Sequence, residues 1–332
     1  MNIRLWINGL TILVVFALPA TRAWSQSPDG PKPPIAKKGS RLAEELRPFD
    51  VNGDGKLDAA ERKAVLAAKR GGSRKAGAAG GSIATGKRSP FVPREYELTW
   101  SDEFDGAKLD STKWAIRYPG KRDGATTSEA AVSLDGKGNL LLTTSVRDGE
   151  LTTGQIGTQK KFEQKFGYFE ARLKFQRLQG HHGAFWLQSG DFGKTVDDPA
   201  KCGAEIDIFE FFGAARDDGG VACTVFWNNK PDQKKSTKQI DVLGPLGSNS
   251  AIGGSRPEIS DAFHLYSLLW TEAGYQFFID GIEVFRTAEG LSKHDEYVVL
   301  SLNSSSWERN RLDPSQLPDV MAVDYVRVYG KR

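Results

Sequence analysis

From Phe91 to Arg332 the chain repeats one local pattern, a short β-prone run followed by a turn signal. "YELTWSDEFDG", "GNLLLTTSV", "FGYFEARLKFQ", "GAFWLQ", "VACTVFWN", "LYSLLW", "YQFFIDGIEVFR", "YVVLSLN" and "MAVDYVRVY" follow one another in this way. Such runs alternate side chains between two faces and are too short and too β-branched or aromatic for amphipathic helices. In "FIDGIEVF" the Asp280-Gly281 pair marks the tip of a two-residue hairpin. Nine or more strands over about 240 residues, without an internal repeat, predict a mostly antiparallel two-sheet sandwich. The 36 glycines and 8 tryptophans suit tight turns and a large β core.

The N-terminal part is built differently. Residues 1–25 have a basic start at Arg4, an apolar run from Leu10 to Leu18 and small residues at Ala20 and Ala23, the layout of a secretory signal. The run is short for a membrane span, so the expected product is secreted, periplasmic or held at the cell surface, with membrane contact only through an uncleaved signal. Residues 26–39 read as disordered and 71–90 as a Gly/Ala/Ser linker. Between them, in 40–70, Asp50, Asn52, Asp54, Lys56, Asp58 and Glu61 fall at the ligand positions of an EF-hand loop, with Gly55 at its sharp turn. Lys56 would offer only its backbone carbonyl. The expectation is a small helical segment holding structural calcium, with a single hand that could dock a partner.

Charge divides along the same boundary. Residues 1–90 carry 16 Lys and Arg against 7 Asp and Glu, whereas 91–332 carry 29 against 35. The excess of cations lies mainly in low-complexity sequence, so it indicates no nucleic-acid partner. Cys202 and Cys223 are the two cysteines, and in an exported protein they predict a disulfide across neighbouring strands. Four histidines and two cysteines show no zinc-ligand spacing.

The stretch that points to chemistry is "EIDIFE", with Glu205, Asp207 and Glu210 inside an otherwise apolar strand. Alternation puts Glu205 and Asp207 on one face. Glu210 breaks the period by one residue, and a bulge at Ile208-Phe209 would return it to that face. The two glutamates would then stand roughly 13 Å apart at Cα, and inward-leaning side chains would bring the carboxyls to roughly 5 Å, the spacing of a retaining glycosidase. Three exposed like charges on one short strand would otherwise only destabilise it.

"EIDIFE" resembles the E-[hydrophobic]-D-x-x-E signature of glycoside hydrolase family 16, in its bulged, laminarinase- and agarase-like form. "LTWSDEFDG" with "LDSTKW", "KFGYFEARLKF", "GAFWLQS", "FHLYSLLWT", "FFIDGIEVFR" and "MAVDYVRVY" resemble the corresponding family strands in order, across residues 91–332. The resemblance implies an all-β, concanavalin A-like jelly roll with a polysaccharide cleft. It assigns Glu205 as nucleophile, Asp207 as its assistant and Glu210 as acid/base. It also suggests a second calcium site at Asp324. Around the cleft the expected substrate-binding residues are Trp186, Gln188, Glu170, Arg172, His182 and Asn303, the pair Glu170 and Arg172 because they alternate with apolar Phe169, Ala171 and Leu173. The chain departs from the family at His181-His182, where Trp-Pro is common, and at Phe226 or Trp227, where a cleft histidine is common.

The implied activity is endo-acting, retaining hydrolysis of a β-glycan, with β-1,3-glucan the first expectation and agarase- or carrageenase-type galactan hydrolysis, or transglycosylation, the alternatives. A non-catalytic lectin-like module is the alternative of another class, and the intact acidic set argues against it. The chemistry itself needs no cofactor.

Overall fold

The computed structural model describes residues 88–194, 198–213, 220–228, 235–240 and 256–332. The expected signal, the expected EF-hand residues Asp50, Asn52, Asp54, Lys56, Asp58 and Glu61, and the expected linker up to residue 87 lie outside the described residues.

The short runs form strands in two sheets. In the first sheet the order is Ile282–Thr287, Gly274–Ile279, His264–Thr271, Gly167–Lys174 and the long Asp319–Lys331. The far edge of that last strand pairs with Leu140–Arg147 along its first half and with Tyr96–Asp102 along its second. The second sheet runs Lys235–Ile240, Val221–Trp227, Glu205–Phe211, His182–Gln188, Glu296–Asn303 and Glu150–Gly157. The hairpin of Leu140–Arg147 and Glu150–Gly157 passes from one sheet to the other. All these pairings are antiparallel; among the described strands, Ala125–Thr127 runs parallel to Glu150–Gly157. The predicted hairpin tip is in place, with Asp280 at φ 49° and Gly281 at φ 81°, the left-handed pair that a two-residue turn demands.

Alternation explains how the sheets meet. Phe169, Ala171 and Leu173 of the first sheet face Phe185, Leu187, Ile206, Leu300 and Leu302 of the second in one fully buried core. Burying each such side chain is worth about 1.5–3 kcal/mol, which fixes the register of every central strand. At the sandwich edge, Trp114 Nε1 donates to Asp102 Oδ2 at 2.8 Å, so the buried indole keeps its hydrogen bond.

The sheet assignment corrects one expectation. Tyr168, Glu170 and Arg172 do oppose the core face, but their strand belongs to the first sheet, whereas the acidic strand belongs to the second. The outward face of the first sheet lies across the core from that of the second. There Glu170 is fully buried and accepts from Tyr325 Oη at 3.0 Å, while Arg172 pairs with Asp324. Neither lines the cleft. Asp324 sits where the register of the long strand shifts, and its carboxylate is engaged by that guanidinium.

The expected Cys202–Cys223 bridge is not formed; both are buried thiols, and Cys202 Sγ donates to the Asp198 carbonyl at 3.2 Å. Register gives the reason. Glu205 pairs with Phe226, so Cys202 extrapolates to a point about six residues beyond Cys223, or about 20 Å along the strand, and a disulfide needs Cα atoms within about 7 Å. Cys223 instead fills the core beneath the acidic strand, where burial, then the charges of Glu210 and Asp207, push its thiol pKa well up.

Candidate active site

The acidic strand is held at both ends by glycines that no other residue could replace. Gly203 has φ 77°, and a Cβ there would lie 2.1 Å from Ser189 Cβ; Gly213 has φ 102°, and its Cβ would meet the Leu178 carbonyl at 2.6 Å. Just inside the first, the amide of Ala204 donates to Glu296 Oε1 at 3.0 Å. Glu296 is fully buried, and desolvation pushes its pKa well up.

Between these anchors the predicted bulge is present. Trp186 pairs with Asp207 and Phe185 with Phe209, so Ile208 has no partner of its own; on the other side the register jumps from Asp207 to Glu210. Ile208 and Phe209 are both buried in the core. The extra residue is therefore absorbed inward, and Glu205, Asp207 and Glu210 share the outer face. Asp207 is nearly buried, and Glu205 and Glu210 are half-buried.

Register shows what else occupies that face. Gln188 lies opposite Glu205, Trp186 opposite Asp207 and Ala184 opposite Glu210. On the next strand Tyr297, Val299, Ser301 and Asn303 stand opposite Gln188, Trp186, Ala184 and His182. Ala184, Trp186, Tyr297 and Val299 form an apolar cluster separate from the inter-sheet core, which places Trp186 on the cleft floor. Its Nε1 donates to Ser301 Oγ at 3.1 Å, and the Arg117 guanidinium lies 4.7 Å from its ring centre. Phe226 pairs with Glu205, so of the two aromatics at the end of its strand it is Phe226 that shares the acidic face; Trp227 packs on the core.

Gln188 connects the acidic strand to a group not anticipated from sequence. Its Oε1 accepts from Arg117 Nη2 and from Tyr297 Oη (2.8 Å), leaving its amide nitrogen to donate to Glu205 Oε2 at 2.7 Å. Because Arg117 can only donate, the amide cannot be flipped. The Arg117 guanidinium is buried; among the described residues it donates to Gln188 Oε1 and Tyr297 Oη and forms no ion pair with a carboxylate. It stacks on Tyr118, as does Arg122, at 4.2 and 5.0 Å from the ring centre. These cations, with Trp186, Gln188 and Glu205, line one depression. Nothing local in "KWAIRYPGKR" says that this loop reaches the acidic strand.

At the other end stands His182, whose Nε2 is 3.9 Å from Glu210 Oε1. Burial, then the neighbouring His181, push its pKa down to about 4, so the ring is neutral near pH 7. Its position is set by His181, which is fully buried between Thr144 Oγ (2.8 Å) and Asp319 Oδ2 (3.0 Å). The same carboxylate accepts the amides of Arg177 and Leu178, at 3.0 and 2.7 Å. Burial acts to raise the Asp319 pKa, but the hydrogen bonds from His181 and these amides outweigh it and hold the value below the usual range. A depressed carboxylate contributes stability that is present above its unfolded pKa, near 3.9, and lost as the pH falls through the folded value. Asp319→Asn is therefore expected to lose about 1–3 kcal/mol at pH 7, with the melting-temperature gap to wild type closing below about pH 4; a gap that does not vary with pH would contradict the assignment.

Residues 96–330 match the family model described as "Beta-porphyranase A-D, GH16 domain". The chain belongs to glycoside hydrolase family 16. Beta-porphyranase E of Zobellia galactanivorans is 30% identical over 258 residues, covering 70% of this chain and 86% of that protein. Glucan endo-1,3-beta-glucosidase A1 of Niallia circulans is 26% identical over 273 residues, 71% of this chain but 38% of that protein's length. The family 16 domain also superposes on the laminarinase catalytic domain of Thermotoga maritima MSB8, with TM-score 0.55, 21% identity, and coverage of 72% of this chain and 99% of that one. This last likeness is one of fold.

Proposed function

We propose that the domain is an endo-acting, retaining β-glycan hydrolase and that its substrate is a β-galactan bearing anionic groups. The observation that carries the reaction is the bulge, which puts Glu205 and Glu210 on one face at opposite ends of the apolar floor. Glu205, oriented by Gln188, attacks the anomeric carbon as the bond to the leaving oxygen breaks. Glu210 gives its proton to that oxygen. Water then yields a proton to Glu210 and attacks the same carbon, releasing Glu205 and restoring the anomeric configuration. Asp207, between them, assists the nucleophile.

The choice of sugar rests on Arg117 and Arg122. A buried guanidinium without a carboxylate partner is costly unless a ligand supplies the counter-charge, and sulfate groups match its donor geometry. The porphyranase family model and the porphyranase relative point the same way. The leader-like start and the EF-hand pattern support export and calcium binding by 40–70.

The test is reducing-sugar release from porphyran, carrageenan, agarose, laminarin and lichenan. The expected order puts a sulfated galactan first, with the advantage over agarose shrinking as salt screens the charges. Release from laminarin alone would restore the β-1,3-glucan reading.

A further inference from the structure

Trp307 stands exposed on the loop that follows the strand Glu296–Asn303. It is 59% exposed, the largest value among the exposed large hydrophobics of the described residues. Yet the loop that carries it is tightly held. The Ser306 amide donates to Asp123 Oδ2 at 2.9 Å, Ser304 Oγ donates to the Gly180 carbonyl at 3.2 Å, and the Arg309 guanidinium packs into the space left by Gly124. A rigid loop displaying a bare indole is what a binding surface needs, because ordering costs are met before the ligand arrives.

The indole does not stand by itself. Its ring centre is 5.9 Å from that of His182 and 5.5 Å from that of Phe212, and these two are 5.2 Å from each other. His182 Nε2 lies 3.9 Å from Glu210 Oε1 and Phe212 comes two residues after Glu210, just past the end of its strand, so Trp307 is joined to the Glu210 end through these two rings. Around Glu205 the aromatic rings of Trp186 and Tyr118 are accompanied by an amide and two guanidiniums, cations that the Glu210 cluster of His182, Phe212 and Trp307 lacks. The two ends of the acidic strand thus offer different chemistry to the two sugars that meet at the scissile bond.

We propose that Trp307, Phe212 and His182 form a shelf that binds the pyranose ring on the leaving-group side of that bond. A pyranose presents an apolar C–H face that stacks on aromatic rings. The proton donor has to reach the oxygen of the leaving sugar, so the ring that Glu210 serves lies against its own neighbours. The proposal rests on the hydrolase reading above and adds which ring is held, and by what.

The experiment compares two substrates on the full-length protein. One is porphyran, or whichever polysaccharide the wild type hydrolyses fastest. The other is the β-glycosyl fluoride of the oligosaccharide released from it, whose leaving group is a single atom with no ring to stack. Trp307→Ala is expected to lower kcat/KM on the polysaccharide roughly tenfold more than on the fluoride. Trp307→Phe should recover most of the difference. Because the indole is solvent-exposed, neither variant should unfold, and melting curves check this. Equal losses on both substrates, or no loss on the polysaccharide, would overturn the shelf. If the wild type cleaves none of the substrates, the hydrolase reading itself falls, and the shelf with it.

Discussion

Glu205→Ala is expected to lose at least about 10³-fold in turnover, and added azide should restore part of it by yielding a glycosyl azide of α configuration. The reasoning is geometric. Removing the carboxylate leaves a space at the β-configured sugar's opposite face, and a small anion can attack from there in a single displacement. The inverted product distinguishes a missing nucleophile from a damaged fold. The fold itself should tolerate the change, since Glu205 is half-buried and Gln188 keeps its contacts with Arg117 and Tyr297. Azide rescue that gave the β azide, or no loss at all, would remove Glu205 from the proposed role.

Glu210→Ala is expected to cost about 10²–10⁴-fold on polysaccharide and much less on a glycosyl fluoride, because fluoride leaves with little help from an acid. The selectivity is the informative quantity. His182, neutral near pH 7, cannot stand in as a proton source there. Azide should also act differently in this variant: it attacks the glycosyl intermediate formed on Glu205 and gives the β azide. Opposite anomers from the two alanine variants would separate the roles of the two glutamates in one experiment. A Glu210 variant as impaired on the fluoride as on polysaccharide would point to a structural part for this residue.

Much of this site was legible because charge stood out against an apolar period. Three carboxylates in "EIDIFE", with one out of step, leave few arrangements that bury Ile206, Ile208 and Phe209 together, and the bulge is one of them. Asp280-Gly281 was legible for a similar reason: the turn requirement is local. The misplaced Glu170 and Arg172 show where such reasoning ends. Alternation says which side chains oppose the core, but in a sandwich there are two such faces, and the sheet to which a strand belongs is decided by its distant partners. The cysteines failed on the same point, since proximity in sequence says nothing about the offset between paired strands. Arg117, Tyr118, Phe212 and Trp307 could not be read from local pattern at all. They sit on loops or just past strand ends, and where these run is set by distant contacts such as Asp123 with Ser306.

The bulge at Ile208 also bears on how such a strand can change length over evolutionary time. Losing one residue between Asp207 and Glu210 would give an ordinary alternating segment with all three acids still pointing outward, whereas a loss between Glu205 and Asp207 would turn one of them into the oil of the interior. Lineages descending from this domain could therefore shed the extra residue and remain chemically equipped, but could not drop its neighbour toward the N-terminus.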